Sequence, residues 1–172
     1  MANVGYGALL LALVLALYAA VVALVGARRR APELVMSARN AALTVTGLLT
    51  LAVVILEYLL ISSDFRTMYV AEVTNRAMPL FFKMTALWGS QAGSLLFWSW
   101  LMSIFSGAVL LRKWGKMRTL MPYVIAVTQI TLVFFISLIS GVWTLLAAPL
   151  GALGLTGSAQ LLADMVNINP FK

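Results

Sequence analysis

The stretch Met78-Pro79-Leu80-Phe81-Phe82-Lys83-Met84-Thr85-Ala86-Leu87-Trp88-Gly89-Ser90-Gln91-Ala92-Gly93-Ser94-Leu95-Leu96-Phe97-Trp98 changes character twice within itself. It opens as a turn with a proline and a lysine, passes through a Gly-Ser-Gln-Ala-Gly-Ser run, and closes as the entrance to a continuous apolar helix. Pro79 disfavours helix at Met78 and is well suited to open one, so a short interfacial helix is expected from Leu80 to Leu87, leading to Trp88. The apolar continuation from Ser94 to Leu111 is expected to span a membrane.

Outward from this stretch the chain is a set of apolar runs joined by charged connectors. Of its 172 residues, 63% are hydrophobic and 10% charged, with a mean hydropathy of +1.01; a soluble domain carries roughly 25% charged residues. Runs of about 20 apolar residues match the roughly 30 Å hydrocarbon core of a bilayer. The expected fold is therefore all-α, a polytopic membrane helix bundle in one domain. Its four transmembrane helices lie at about 4–26, 41–62, 94–111 and 120–147, with outer segments 63–93 and 148–172. Residues 65–73 are expected as a short extended or interfacial piece or a solvated loop, and 152–172 as an interfacial or re-entrant turn.

Charge sets the orientation. Arg28, Arg29, Arg30 and Arg39 follow the first run, and Arg112, Lys113, Lys116 and Arg118 follow the third, eight basic residues against three in segment 63–93 (Arg66, Arg76 and Lys83). The positive-inside rule then places both termini outside, with Pro32 breaking the helix in the first inner loop. No charge precedes the first run, so it reads as an uncleaved helix rather than a secretory signal. The net charge of +7 is explained by topology and lipid contact, not by nucleic acid, because no basic face is interleaved with aromatics.

The chain has no cysteine and no histidine, which removes disulfides, thiolate metal sites, a nucleophilic thiol and the commonest haem ligands. Neither a Ser/His/Asp set nor a phosphate-cradling Gly-Lys motif is present. No catalytic and no metal-ligating residue is expected. Glu57, an acid within the second span, has two readings: a functional intramembrane carboxylate, or a group that lies near the outer interface or is protonated and hydrogen-bonds a neighbouring helix. Unimpaired assembly and activity after Glu57→Gln would favour the second. Thr128, Gln129 and Thr131 are expected to bond neighbouring helices or their own carbonyls. Trp88, Trp98 and Trp100 suit an aromatic belt, and Gly89 and Gly93 have the GxxxG spacing that allows close helix contact.

Pro79 to Lys83 together with Thr85 to Trp98 resembles the segment LP..yK..A.WG.hEGSLLLW of the CcmF-type cytochrome c maturation proteins, the haem lyase component of the bacterial system. Supporting matches are the Gly5 to Leu13 opening, Ser63-Asp64-Phe65 with Tyr69-Val70-Ala71, and Asn169-Pro170-Phe171; they keep the family's order and cover nearly the whole chain. The resemblance implies work in the inner membrane, attaching haem covalently to apocytochrome c at the outer face. There a haem chaperone delivers haem, and the apocytochrome's thiols add across its vinyl groups. Where the family often has His-Glu this chain has Gln91-Ala92, so a role needing that imidazole or carboxylate does not carry over.

By this resemblance the chain is expected to be a non-catalytic N-terminal portion of a haem lyase, partnered by the rest of the lyase, the haem chaperone and apocytochrome c. Haem enters by resemblance only and is ligated by another chain or segment. Gly89 and Gly93 would permit close approach, and Gln91 and Ser94 would supply hydrogen bonds at the outer interface. Trp88 and Trp98 would offer flat apolar surface to haem or a partner helix, and Lys83 or Arg76 would pair with a haem propionate. The same residues fit an alternative from another class, a non-catalytic structural transmembrane subunit of a respiratory or photosynthetic complex. A small transporter is the weakest reading, since Glu57 alone would serve as a relay group.

Overall fold

Small residues recur along one face of the first helix, and that face sets the packing. In α1, Ala2–Arg29, the buried positions are Gly5, Ala8, Leu9, Ala12, Ala16, Ala19, Ala20, Ala23 and Gly26, a spacing of three to four that brings one stripe to one side. In a membrane, such a stripe lets a neighbouring backbone come close. The neighbour is α2, Pro32–Ser62, which folds back along it. The approach is tightest at Gly26, where a Cβ would lie 2.9 Å from the Val35 side chain and 3.2 Å from its amide nitrogen.

The turn between them is shorter than the sequence suggested. Arg30 adopts the left-handed conformation (φ 53°), and Ala31 N–H donates to Gly26 O at 3.0 Å, closing α1. Pro32 then sits in the first turn of α2, where its missing N–H leaves no gap in the hydrogen-bond ladder. It starts the second helix instead of holding open a loop up to residue 41. Arg39, expected in that loop, lies within α2 with its guanidinium 4.9 Å from the Trp114 ring centroid.

The computed structural model describes residues 1–112, 114, 117–142 and 169–171. After α2 come α3 (Met68–Val73), α4 (Leu80–Gly89), α5 (Gln91–Arg112) and α6 (Met121–Ser140), with no strand among the described residues. The helices α1, α2, α5 and α6 are each long and apolar enough to cross a membrane. They form a four-membered ring in which α1 contacts α2 and α6, and α5 contacts the same two. Neighbours run antiparallel; Tyr6 at the start of α1 donates to Ser140 O at the end of α6 at 3.2 Å. The expected continuation of the last span to 147, most of the expected turn at 152–172, and Lys113, Lys116 and Lys172 lie outside the described residues. Phe171 is described and buried, with its ring over Gly5, where any added Cβ would strike it.

Two separate apolar clusters make up the interior. One, toward the Ser63 end, is built on Leu9, Leu49, Leu56, Leu60, Leu96, Leu132 and Ile136 and includes Tyr69 and Leu87. The other, toward the Arg30 end, is built on Ala19, Ala23, Ala38, Ala42, Leu110, Met121 and Ile125. Polar contacts occupy the level where they meet. Thr46 Oγ1 donates to Ser103 O at 3.0 Å, Ser106 Oγ to Thr128 Oγ1 at 3.1 Å, and Trp100 Nε1 to Thr50 Oγ1 at 2.9 Å. Thr128 and Thr131 also donate to the carbonyls of Val124 (2.8 Å) and Val127 (3.0 Å), as expected of them. Gln129 is buried there with no hydrogen-bond partner for its Oε1 among the described residues.

Candidate functional site

The candidate site lies at the Ser63 end, where α3 and α4 close over the entrance to α5. Its hub is Tyr69, buried on α3. The phenol donates toward Ala86 O at 3.2 Å and Leu87 O at 3.4 Å, and accepts from Ser90 Oγ at 2.8 Å. Burial raises the pKa of this phenol above its ordinary value, the Ser90 bond opposes the rise, and the charge of Glu57 adds to it.

Ser90 is the joint between two helices. Its extended backbone (ψ 164°) ends α4, and its Oγ accepts from Gly93 N–H at 3.3 Å while its carbonyl accepts from Ser94 N–H at 2.9 Å. A serine that bonds the third amide of the following helix is an N-cap. This cap is why α5 begins at Gln91, earlier than the expected Ser94.

The joint separates the two glycines. Gly89 ends α4 with nothing near the position of a Cβ, whereas Gly93 is buried under Leu87 O and the Tyr69 hydroxyl, with Leu87 C 2.9 Å from the Cβ position. The GxxxG spacing therefore does not make one close-packing face: Gly93 is needed for the chain's own α3–α4 cap, and the Cβ position of Gly89 faces open space.

The other expected residues fall around this hub in different roles. Lys83 Nζ donates to Ser63 Oγ at 2.6 Å, tying α4 to the end of α2, and Arg76 lies 5.6 Å from the Phe65 ring centroid. Gln91 is exposed, and its carbonyl accepts from Ser94 Oγ at 3.0 Å. Trp88 and Trp98 are 52% and 63% exposed and flank Phe97, with centroids 5.6 Å and 6.4 Å from it. These three rings make an aromatic face beside the cap, and Phe81 and Phe82 of α4 are exposed as a separate edge-on pair with centroids 5.7 Å apart. Glu57 has its Oε2 buried without a hydrogen-bond partner among the described residues.

The donor set does not fit iron. The chain lacks histidine and cysteine, and no group of three or more Asp or Glu capable of holding a metal occurs among the described residues. The arrangement offers apolar ring faces and a rigid cap, which suits docking. Reading the sequence singled out Trp88 and Trp98 but not Tyr69 or Ser90 as organising residues. Their only signal was the match of Tyr69-Val70-Ala71 to the family pattern, since their partners lie 17 to 21 positions away along the chain.

Fold and site together define a polytopic helix bundle with a capped, aromatic-faced end. The chain is similar to cytochrome c-type biogenesis proteins. It is 36% identical over 110 residues to CcmF of Haemophilus influenzae, covering 64% of this chain and 17% of that protein. It is 35% identical over 125 residues to CycK of Rhizobium meliloti, covering 73% and 18%, and 37% identical over 107 residues to CcmF of Pseudomonas aeruginosa, covering 62% and 16%. The chain thus spans a small fraction of the length of the curated relatives it matches. The resemblance to CcmF-type proteins read from the sequence stands on these relatives. No protein-family model matches the chain, and no solved structure does.

Proposed function

We propose that this chain works in cytochrome c biogenesis as a non-catalytic, docking portion of a haem lyase. It would lie in the inner membrane with the capped end outside and the arginine-rich end in the cytoplasm. The observation that carries the reading is the coincidence of family-like sequence and geometry: the stretch that resembles CcmF-type proteins is the one that builds the cap and its aromatic face. A partner segment that holds haem, delivered by a haem chaperone and used on apocytochrome c, packs against Trp88 and Trp98. The chain's own residues contribute shape and apolar surface, and iron ligation belongs to that partner.

The eight basic residues in the two connectors expected inside support this orientation by their sequence positions. The test is Trp88→Ala with Trp98→Ala in cells where this chain supplies the function, read as covalently bound haem in c-type cytochromes at matched chain levels. Removal of an aromatic anchor costs about 2 kcal/mol at an interface, so mature cytochrome c should fall by roughly tenfold or more. Unchanged maturation would overturn the docking role. Recovery of the tagged chain in a respiratory or photosynthetic assembly would favour the structural-subunit reading instead.

A further inference from the structure

At the opposite end of the bundle, the α1–α2 turn and the start of α6 enclose an open cleft of about 710 Å³, lined by Arg30, Pro32, Val35, Arg118, Pro122 and Tyr123. A smaller chamber of about 190 Å³ shares Val35, Arg118 and Pro122 with it and adds Met36 and Trp114. Two arginines thus line one concavity whose other walls are mostly apolar, with Thr119 and Tyr123 adding hydroxyl groups. Among the described residues neither the Arg30 nor the Arg118 guanidinium has an ion-pair or hydrogen-bond partner.

Depth and chemistry select the occupant. The cleft lies where four membrane-crossing helices begin or end, the level at which lipid phosphates lie. A guanidinium presents a planar set of donors that suits phosphate oxygens, and basic concavities between helices suit anionic headgroups. The start of α2, which has no side-chain cap, adds the positive end of a helix dipole. The apolar walls suit the glycerol and upper acyl segments of the same molecule.

We propose that this cleft binds an anionic phospholipid, its phosphate held by Arg30 and Arg118 and its glycerol region against Val35, Met36 and Trp114. The site is separate from the cap and does not depend on the biogenesis role. Arg30 also makes the proposal unusually clean to test, because it occupies a left-handed position (φ 53°, ψ 36°) that glycine adopts without strain. Arg30→Gly therefore removes the guanidinium while easing the turn.

The experiment is native mass spectrometry of the purified chain titrated with phosphatidylglycerol and with phosphatidylcholine, with thermal unfolding as the check on folding. Phosphatidylglycerol should be retained in preference to phosphatidylcholine. Arg30→Gly and Arg118→Gln should each weaken it about fivefold and together about 25-fold, with the unfolding midpoint of Arg30→Gly unchanged or raised. Arg28→Gln with Arg29→Gln, exposed residues outside the cleft, should leave retention as it was. An equal loss in that control pair would replace the cleft with a diffuse surface charge, and unaltered retention in the cleft pair would overturn the site. Displacement of the lipid by millimolar inorganic phosphate would assign the cleft to free phosphate and overturn the lipid.

Discussion

Gly93 and Tyr69 show how a single residue holds the cap. Any side chain at 93 meets the Leu87 carbonyl and the Tyr69 hydroxyl, so Gly93→Ala should destabilise the chain by about 1–3 kcal/mol, seen as a lower unfolding midpoint in detergent. Adding Tyr69→Phe, which removes one of the two obstructing groups, should recover part of that loss, giving a non-zero coupling between the positions. Tyr69 also predicts an alkaline response. Because its phenol is held above the usual value of about 10, the protonated form is the one the fold favours. Its contribution is full below about pH 10 and is lost as pH rises through the higher folded value. Unfolding midpoints measured from pH 8 upward should show this alkaline loss, and Tyr69→Phe should remove it. Little of this was legible in advance: the spacing of Gly89 and Gly93 suggested a shared helix face, and only the break at Ser90 places them on different helices.

At the scale of the element, the joint between α4 and α5 depends on one hydroxyl. Ser90→Ala removes both the bond to Tyr69 and the acceptor for Gly93 N–H, and should cost about 1–2 kcal/mol. Faster amide exchange confined to the first turn of α5 and the end of α4 is the expected signature. The short helix at Leu80–Gly89 was readable because Pro79 fixes its start by local sterics. The start of α5 was misplaced because its cap, Ser90, looks like any other polar residue in the run. The packing stripe of α1 is written plainly as alanines at four-residue spacing, but its meaning depends on α2 lying against it. The early start of α2 was missed for a comparable reason: Pro32 breaks and starts helices equally well, and the left-handed turn at Arg30 decides which.

For the whole molecule, the antiparallel ring makes orientation a single choice that charge is expected to settle. The chain carries no native cysteine, so introduced ones report without background. Ala77→Cys, exposed between α3 and α4, should react with a membrane-impermeant thiol reagent in intact spheroplasts, and Met117→Cys, exposed between α5 and α6, only after permeabilisation; the reverse pattern would invert the assigned topology. The four-helix class was legible throughout, since hydropathy and length suffice for it, whereas the ring order needed three-dimensional contacts. The division of the interior into two clusters has a mechanical result. The Arg30 half is lined largely by alanines and has few bulky side chains to interlock, while the Ser63 half is filled by leucines and isoleucines and clasped by α3 and α4. The two ends are thus held by different means: at the arginine end, where the backbones nearly touch at Gly26, an added side chain must push helices apart, whereas at the aromatic end a lost one leaves a void.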